Sequence, residues 1–292
     1  MDSRQTARKD NSPTLLEAYR YLKQGFAAVT EESDVEARHS LCYLMDCEPG
    51  EIFLHGNQTI SQQVRDRVEE ILKRRLRGEP LAYIMGERWF MGLRFSVDPR
   101  VLIPRQDTEL LAQQAIDYMN ENRCATALDL CTGSGCVAIA LAKYTDAAVT
   151  ASDISRDALA VAEKNAADNG VAVTLLCSDL LEGISGTFDI ITANPPYVSE
   201  REYENLMREV RCHEPRLALV GQDEGLACYQ IICREARAHL VAGGALMMEI
   251  GWDQGPAVHD LLLEQGYGSI EILKDWSGLD RVAIGRMKES SL

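Results

Sequence analysis

The residues Asn194-Pro195-Pro196-Tyr197 follow directly on the largely apolar run Asp189-Ile190-Ile191-Thr192-Ala193. Two prolines cannot continue a central strand, so a strand formed by that run must leave its sheet there and present Asn194 at the carboxyl edge. The side-chain oxygen of Asn194 and the carbonyl of Pro195 are two acceptors, suited to the two hydrogens of a planar NH2 group. In an amide or an adenine ring that nitrogen shares its lone pair with an unsaturated carbon and is a poor nucleophile. A protein can still help by orienting it and by stabilising the positive charge that develops during alkylation. Tyr197 can pack on the planar group. The nitrogen becomes acidic once alkylated and can release its proton to water or a carbonyl, so the chemistry requires no dedicated base.

A second constellation is Asp129-Leu130-Cys131-Thr132-Gly133-Ser134-Gly135-Cys136-Val137-Ala138, a glycine-rich turn between an apolar strand and a helical stretch. Glycines let the backbone approach a ligand at the strand's carboxyl end, where open α/β sheets bind nucleotides. Gly133-x-Gly135-x-x-Ala138 also satisfies the dinucleotide fingerprint of dehydrogenases, with Asp153 near the position of its ribose-binding acid. Asp129 separates the two readings. A carboxylate just before the turn suits a cationic amino-acid group such as that of S-adenosylmethionine and would repel a pyrophosphate. Asp153 can then accept the ribose hydroxyls, and Ser178-Asp179 after a third strand can accept the adenine amino group. A plain turn role for Asp179 is the lesser alternative, since Asp is common at strand ends. A dehydrogenase gives no role to Asn194 through Tyr197.

These residues need a parallel sheet to position them. From residue 107 onward helical and apolar segments alternate. A helix capped by Asp107 or Thr108 runs through Leu110, Leu111, Ala115 and Met119, and strands are expected at 127–130, 149–153, 173–176, 188–192, 245–250 and 281–284. Such alternation means an α/β fold, a mostly parallel sheet with helices on both faces. The first eighty residues read instead as a small bundle of amphipathic helices. Apolar faces fall at Leu15, Ala18, Tyr19, Leu22 and Phe26, at Val35, Ala37, Leu41, Leu44 and Met45, and at Val64, Val68, Ile71, Leu72 and Leu76. Ser61 is placed to cap the last of these helices, which Gly78 and Pro80 end. The run Lys73-Arg74-Arg75-Leu76-Arg77 is interleaved with Glu69 and Glu70 and reads as a solvated helix face. Alternation in Leu93-Arg94-Phe95-Ser96-Val97, with Pro99 and Pro104, suggests short strands and turns over 81–105, a hairpin linking a helical domain, 1–80, to a catalytic domain, 106–292.

Composition narrows the partners. The chain has 292 residues, 46% hydrophobic and 26% charged, enough for two domains with cores of their own. No apolar stretch approaches the ~20 residues of a membrane span. The polar residues 1–10 lack the apolar segment of an export signal, so a cytoplasmic protein is expected. Nine cysteines, an odd number with no CxxC pair, fit reduced thiols in apolar surroundings, and the five histidines are isolated, so no metal is expected. The formal charge of −15 opposes a phosphate backbone. Residues 1–92 hold 13 basic and 15 acidic side chains, so nearly all the excess acidity lies beyond them and favours a neutral or basic macromolecule.

The chain resembles the glutamine methyltransferases of class 1 peptide chain release factors. The likeness runs through Gly78-Glu79-Pro80-Leu81-Ala82-Tyr83-Ile84, Leu102-Ile103-Pro104-Arg105-Gln106-Asp107-Thr108-Glu109, the glycine turn, Asn194 to Tyr197 and Ser277-Gly278-Leu279-Asp280-Arg281. The resemblance implies a seven-stranded Rossmann-like methyltransferase sheet and an N-terminal helical domain that meets the release factor. It implies a monomeric enzyme that uses S-adenosylmethionine to methylate the side-chain amide nitrogen of the glutamine in a GGQ motif. By the same resemblance, Cys131, Thr132, Gly133, Ser134 and Gly135 line the cofactor with Asp129. Asp153 and Ile154 take the ribose, Asp179 and Leu180 the adenine, and Asn194, Pro195, Pro196 and Tyr197 hold the amide with Leu102 and Ile103 nearby. Cys131 stands where many relatives have glycine, Gln106 where proline is frequent, and Leu180 where an aromatic often covers adenine, which replaces stacking by plain apolar contact. The catalytic residues read only the nitrogen, so a ribosomal-protein glutamine or a nucleobase amino group is the alternative acceptor.

Overall fold

The computed structural model describes residues 13–289, so residues 1–10, read above for an export signal, lie outside the described residues. The chain divides into two compact units, one ending at Met85 and one beginning at Gly86.

The first unit is a bundle of α1 (Leu15–Phe26), α2 (Ser33–Met45), α3 (Glu51–Leu54), α4 (Gln62–Arg75) and α5 (Leu81–Met85). A capping box of Thr14 and Glu17 starts α1, which buries Leu15, Ala18, Tyr19, Leu22 and Phe26. Ser61 caps α4 as expected, accepting from the Val64 amide at 3.2 Å. Three expectations are corrected. Residues 81–85 form a helical turn, not the start of the hairpin. Val35 and Leu76 are 39% and 46% exposed and leave the core to their neighbours. The basic run is not simply solvated either, because Arg75 is 2% exposed and its guanidinium donates to both carboxylate oxygens of Glu36, at 2.8 and 3.0 Å. A bidentate pair satisfies the buried charge and fixes α4 against α2.

The second unit opens with a hairpin, β1 (Glu87–Phe90) and β2 (Leu93–Ser96), which is antiparallel. After α6 (Gln106–Asn122), strands and helices alternate: β3 (Thr126–Leu130), α7 (Cys136–Tyr144), β4 (Ala148–Asp153), α8 (Arg156–Asp168), β5 (Val173–Cys177) and β6 (Phe188–Ala193). Then come α9 (Glu200–Tyr203), α10 (Arg208–His213), α11 (Ala227–Glu235), β7 (Leu240–Glu249), α12 (Gly255–Glu264), β8 (Ser269–Lys274) and β9 (Asp280–Arg286). The seven strands β3 to β9 form one sheet in the order β5-β4-β3-β6-β7-β9-β8. Only β9 runs against its neighbours. The strand β8 has no counterpart among the expected strands, and α6 starts at Gln106 after Arg105, with no side-chain cap from Asp107 or Thr108.

Two apolar layers sandwich the sheet, one built on α6 and α7 around Leu111, Ile139 and Met247, the other on α11 and α12 around Tyr229, Ile232 and Val258. The strand order reverses direction between β3 and β6. In open α/β sheets the crevice beyond the carboxyl ends at such a point is where ligands bind.

Candidate active site

A cavity of about 420 Å3 opens beyond the carboxyl ends of β3, β4, β5 and β6, a volume within the usual range for small-molecule sites. Leu102, Asp129, Cys131, Thr132, Gly133, Ser134, Asp153, Ile154, Asp179, Leu180, Asn194 and Pro196 line it. Each of these four strands therefore delivers polar chemistry to one edge.

Asp129, near the end of β3, is 1% exposed and accepts from the Thr132 hydroxyl and the Thr192 hydroxyl, each at 2.7 Å. Burial pushes its carboxyl up to about 6, with the two hydroxyls holding back a larger rise. A cation arriving at the cavity would restore the charged form. Asp153 ends β4 and accepts from the Gly133 and Ser155 amides, both at 2.9 Å, which aims the carboxylate at the glycine turn. Burial raises it too. The two glycines have different jobs. A side chain at Gly133, at φ +54°, would meet no protein atom and would enter open space, whereas one at Gly135 would strike Ile139 and Ala162. Gly133 leaves room for a ligand, and Gly135 lets α7 pack on α8. Cys131 and Leu180, each following a strand, take left-handed backbone at φ 56° and 48°. Non-glycine residues in that region cost about 1–2 kcal/mol each, and such strain gathers at functional sites.

The structure does not bring every expected residue into the cavity. Ile103 is 4% exposed, and its amide donates to Glu214 Oε2 at 3.1 Å. Gly135 and Pro195 stand behind the lining. Tyr197 does not offer its hydroxyl to the cavity but donates it to Glu249 Oε1 at 3.2 Å.

Sequence reasoning missed several supports. Glu249, the last residue of β7, is 2% exposed and sits behind the Asn-Pro-Pro-Tyr turn. Gly221 and Gly225 allow a following loop to lie on that turn, since a β-carbon at either would collide with the carbonyl oxygen of Pro196 or Tyr197. The Val198 and Gly221 amides exchange bonds with Leu219 and Val198 carbonyls at 2.9 and 3.0 Å, and Gln254 Nε2 donates to the Tyr197 carbonyl at 3.1 Å. Across the cavity mouth Glu214, 5% exposed, is paired with Arg105 and so ties the 101–105 segment to the loop that follows α10. Among the described residues no cluster of His, Cys, Asp or Glu could hold a metal ion.

Residues 17–86 match the family model of the PrmC N-terminal domain, and residues 106–216 match that of the methyltransferase small domain. A release factor glutamine methyltransferase of Neisseria gonorrhoeae is 40% identical over 256 residues, 86% of this chain and 93% of that protein. The chain belongs to the release factor glutamine methyltransferase family. A Chlamydia trachomatis member is 43% identical over 71% of this chain and 72% of its own. A methyltransferase from Pyrococcus furiosus, 19% identical, superposes with a TM-score of 0.52 over 75% of this chain and 99% of its own, which shows the shared fold. Family membership makes the chain a methyltransferase and accounts for the methyltransferase sheet and for the helical unit before it.

Proposed function

We infer that the cavity binds S-adenosylmethionine and that the enzyme methylates the side-chain amide nitrogen of a glutamine, that of the GGQ motif in class 1 peptide chain release factors. The observation that carries this reading is that Asn194 lines one cavity together with two carboxylates, the buried Asp129 and the half-buried Asp153. The donor set fits the cofactor: Asp129 faces where an ammonium would lie, Asp153 keeps lone pairs for ribose hydroxyls, and Gly133 leaves space for backbone approach. Leu180 and Ile154 offer apolar contact, and Asp179 an acceptor, to an adenine ring. When bound, the sulfonium supplies an electrophilic methyl group.

The protein's own part is orientation. Asn194 Oδ1 accepts an N–H hydrogen of the glutamine amide, aims its nitrogen at the methyl and helps to stabilise the positive charge that develops there. Leu102 and Pro196 bound the same space. No ionisable side chain is assigned the proton, which the methylated amide releases readily to water or a carbonyl. We propose further that the enzyme acts as a cytoplasmic monomer on a protein, with the helical unit meeting the release factor. Its net charge of −15 disfavours a nucleic-acid substrate.

The test is incubation with labelled S-adenosylmethionine and a purified class 1 release factor, wild type or with the GGQ glutamine replaced, followed by peptide mass analysis. Label confined to the wild-type factor is the expected result. Cofactor binding without label on the factor would point to a ribosomal-protein glutamine or a nucleobase amino group.

A further inference from the structure

A buried carboxamide outside the cavity ties two of its walls together. Asn165, on α8, is 0% exposed, and its side chain makes three bonds to backbone distant in sequence. Nδ2 donates to the Ser134 carbonyl at 2.9 Å and to the Ser96 carbonyl at 3.0 Å, while Oδ1 accepts from the Ser96 amide at 2.7 Å. Ser134 belongs to the glycine turn and lines the cavity, and Ser96 ends β2.

The first half of the glycine turn is held by β4, since the Thr132 amide donates to the Ser152 carbonyl at 3.0 Å and the Gly133 amide to Asp153. The second half lies on α8, where Gly135 leaves room for Ala162 and the bond from Asn165 fixes the Ser134 carbonyl. The hairpin pairs β2 with β1 on one side only, so the outward N–H and C=O of Ser96 depend on a side chain to pair them. Residues 97–102 then lead from Ser96 to the cavity, whose wall includes Arg100, Val101 and Leu102.

This junction requires an asparagine. A carbonyl only accepts and an N–H only donates, so two carbonyls and one amide are served together by a group with two donors and an acceptor. Aspartate lacks the donors, a hydroxyl has a single proton, and glutamine adds a methylene in a site closed to solvent. We propose that Asn165 is a positioning residue that sets the distance between the glycine turn and the cavity wall at 100–102, and with it the fit of the cofactor and the alignment of its methyl group with the acceptor. This rests on the reading of the cavity as the S-adenosylmethionine site. Asn165 does not line the cavity, so it acts through the two segments it joins.

The experiment uses the full-length enzyme, S-adenosylmethionine and a purified class 1 release factor, below the thermal transition of each variant as read by circular dichroism. Asn165→Asp keeps the bond from the Ser96 amide and loses both donated bonds, whereas Asn165→Leu keeps the volume and loses all three. Asn169→Ala is the control, because Asn169 Nδ2 also donates to β2, at the Arg94 carbonyl at 3.0 Å, and to its own helix, but not to the glycine turn. Both Asn165 variants are expected to weaken the cofactor Kd and to lower kcat at saturating cofactor by at least about tenfold each, as small misplacements near a reaction do, with KM for the factor within about twofold of wild type. Asn169→Ala is expected to leave all three within about twofold. Unchanged Kd and kcat in the folded Asn165 variants, or equal losses in Asn169→Ala, would overturn the proposal. A loss in only one Asn165 variant would also overturn it, tracing the effect to a buried charge or to the Ser96 amide bond alone. Failure of both to fold would do the same by giving the residue to the fold. Wild-type enzyme that binds the cofactor without labelling the factor would strike the choice of substrate and leave Kd to decide the role of Asn165. Wild-type enzyme that does not bind S-adenosylmethionine would remove the reading of the cavity and this proposal with it.

Discussion

Replacing Asp129 by Asn tests the electrostatics of the cavity in two opposite directions at once. The wild-type carboxyl is 1% exposed and pushed from its ordinary 3.8 to about 6. In the ligand-free enzyme the folded state therefore holds a proton more firmly than the unfolded chain. Stability from this group is present at acidic pH and falls as pH rises from about 4 to about 6, by about 3 kcal/mol in all, and is level above that. Affinity for a cationic ligand runs the other way. An ammonium beside Asp129 needs the ionised form, so the Kd for S-adenosylmethionine should be level above pH 7 and should weaken about tenfold for each pH unit below 6. Asp153 and Glu249 are also raised by burial and add slopes of their own, which makes the difference between wild type and Asp129→Asn the informative quantity. The variant should bind more weakly at pH 8, lose most of the pH dependence of binding, and show a ligand-free stability less sensitive to pH between 4 and 6. Calorimetric titration from pH 5 to 8 and urea denaturation of the ligand-free protein measure both quantities. A wild-type Kd that is flat across pH 5–8, or that tracks pH identically in Asp129→Asn, would refute the assignment of Asp129 to the cation.

Two further substitutions probe the supports. Gly225→Ala puts a β-carbon into the Tyr197 carbonyl oxygen at a residue whose φ is +84°, so methyl transfer should fall at least about tenfold while thermal unfolding reports a loss of about 1–3 kcal/mol. Glu36→Ala leaves the Arg75 guanidinium buried without its bidentate partner and should destabilise the helical unit by about 3–5 kcal/mol, read as an earlier transition in denaturant, with cofactor affinity unchanged.

The residues that contact the cavity were largely legible because each combines an unusual type with a strand end. Asp153 ends an apolar strand, Asn194 is followed by two prolines, and the glycine turn links a strand to a helix. What stayed hidden depends on partners distant in sequence. Glu249 looks like an ordinary polar end to an apolar strand until the fold sets it beside Tyr197, 52 residues earlier. Gly221 and Gly225 read as loop glycines, and only their approach to the carbonyls of Pro196 and Tyr197 explains them. Strand β8 was missed because it is an edge strand whose side chains stay exposed or half-buried, so Glu271 and Lys274 interrupt the apolar signal. The turn of helix at 81–85 follows Gly78 and Pro80, a pairing that signals a helix end at least as strongly as a new start. Tyr197 was expected at the substrate because a carboxylate partner for its hydroxyl is invisible from its neighbours in the chain.

The register of the sheet acts as a ruler for the chemistry. Asp129 stands opposite Thr192 across β3 and β6, and Asp153 opposite Cys177 across β4 and β5. Because side chains alternate faces along a strand, a shift of one residue in any of these pairings would turn a cavity carboxylate into the packed layer behind the sheet. The opposite edge, where the connections around 123–125, 145–147 and 169–172 enter the strands, contributes no residue to the cavity, and its bonds, such as those of the Asp189 carboxylate with the Ala125 and Thr126 amides, serve the fold. The molecule thus has one side on which loop length bears directly on the chemistry and another on which it bears on packing alone.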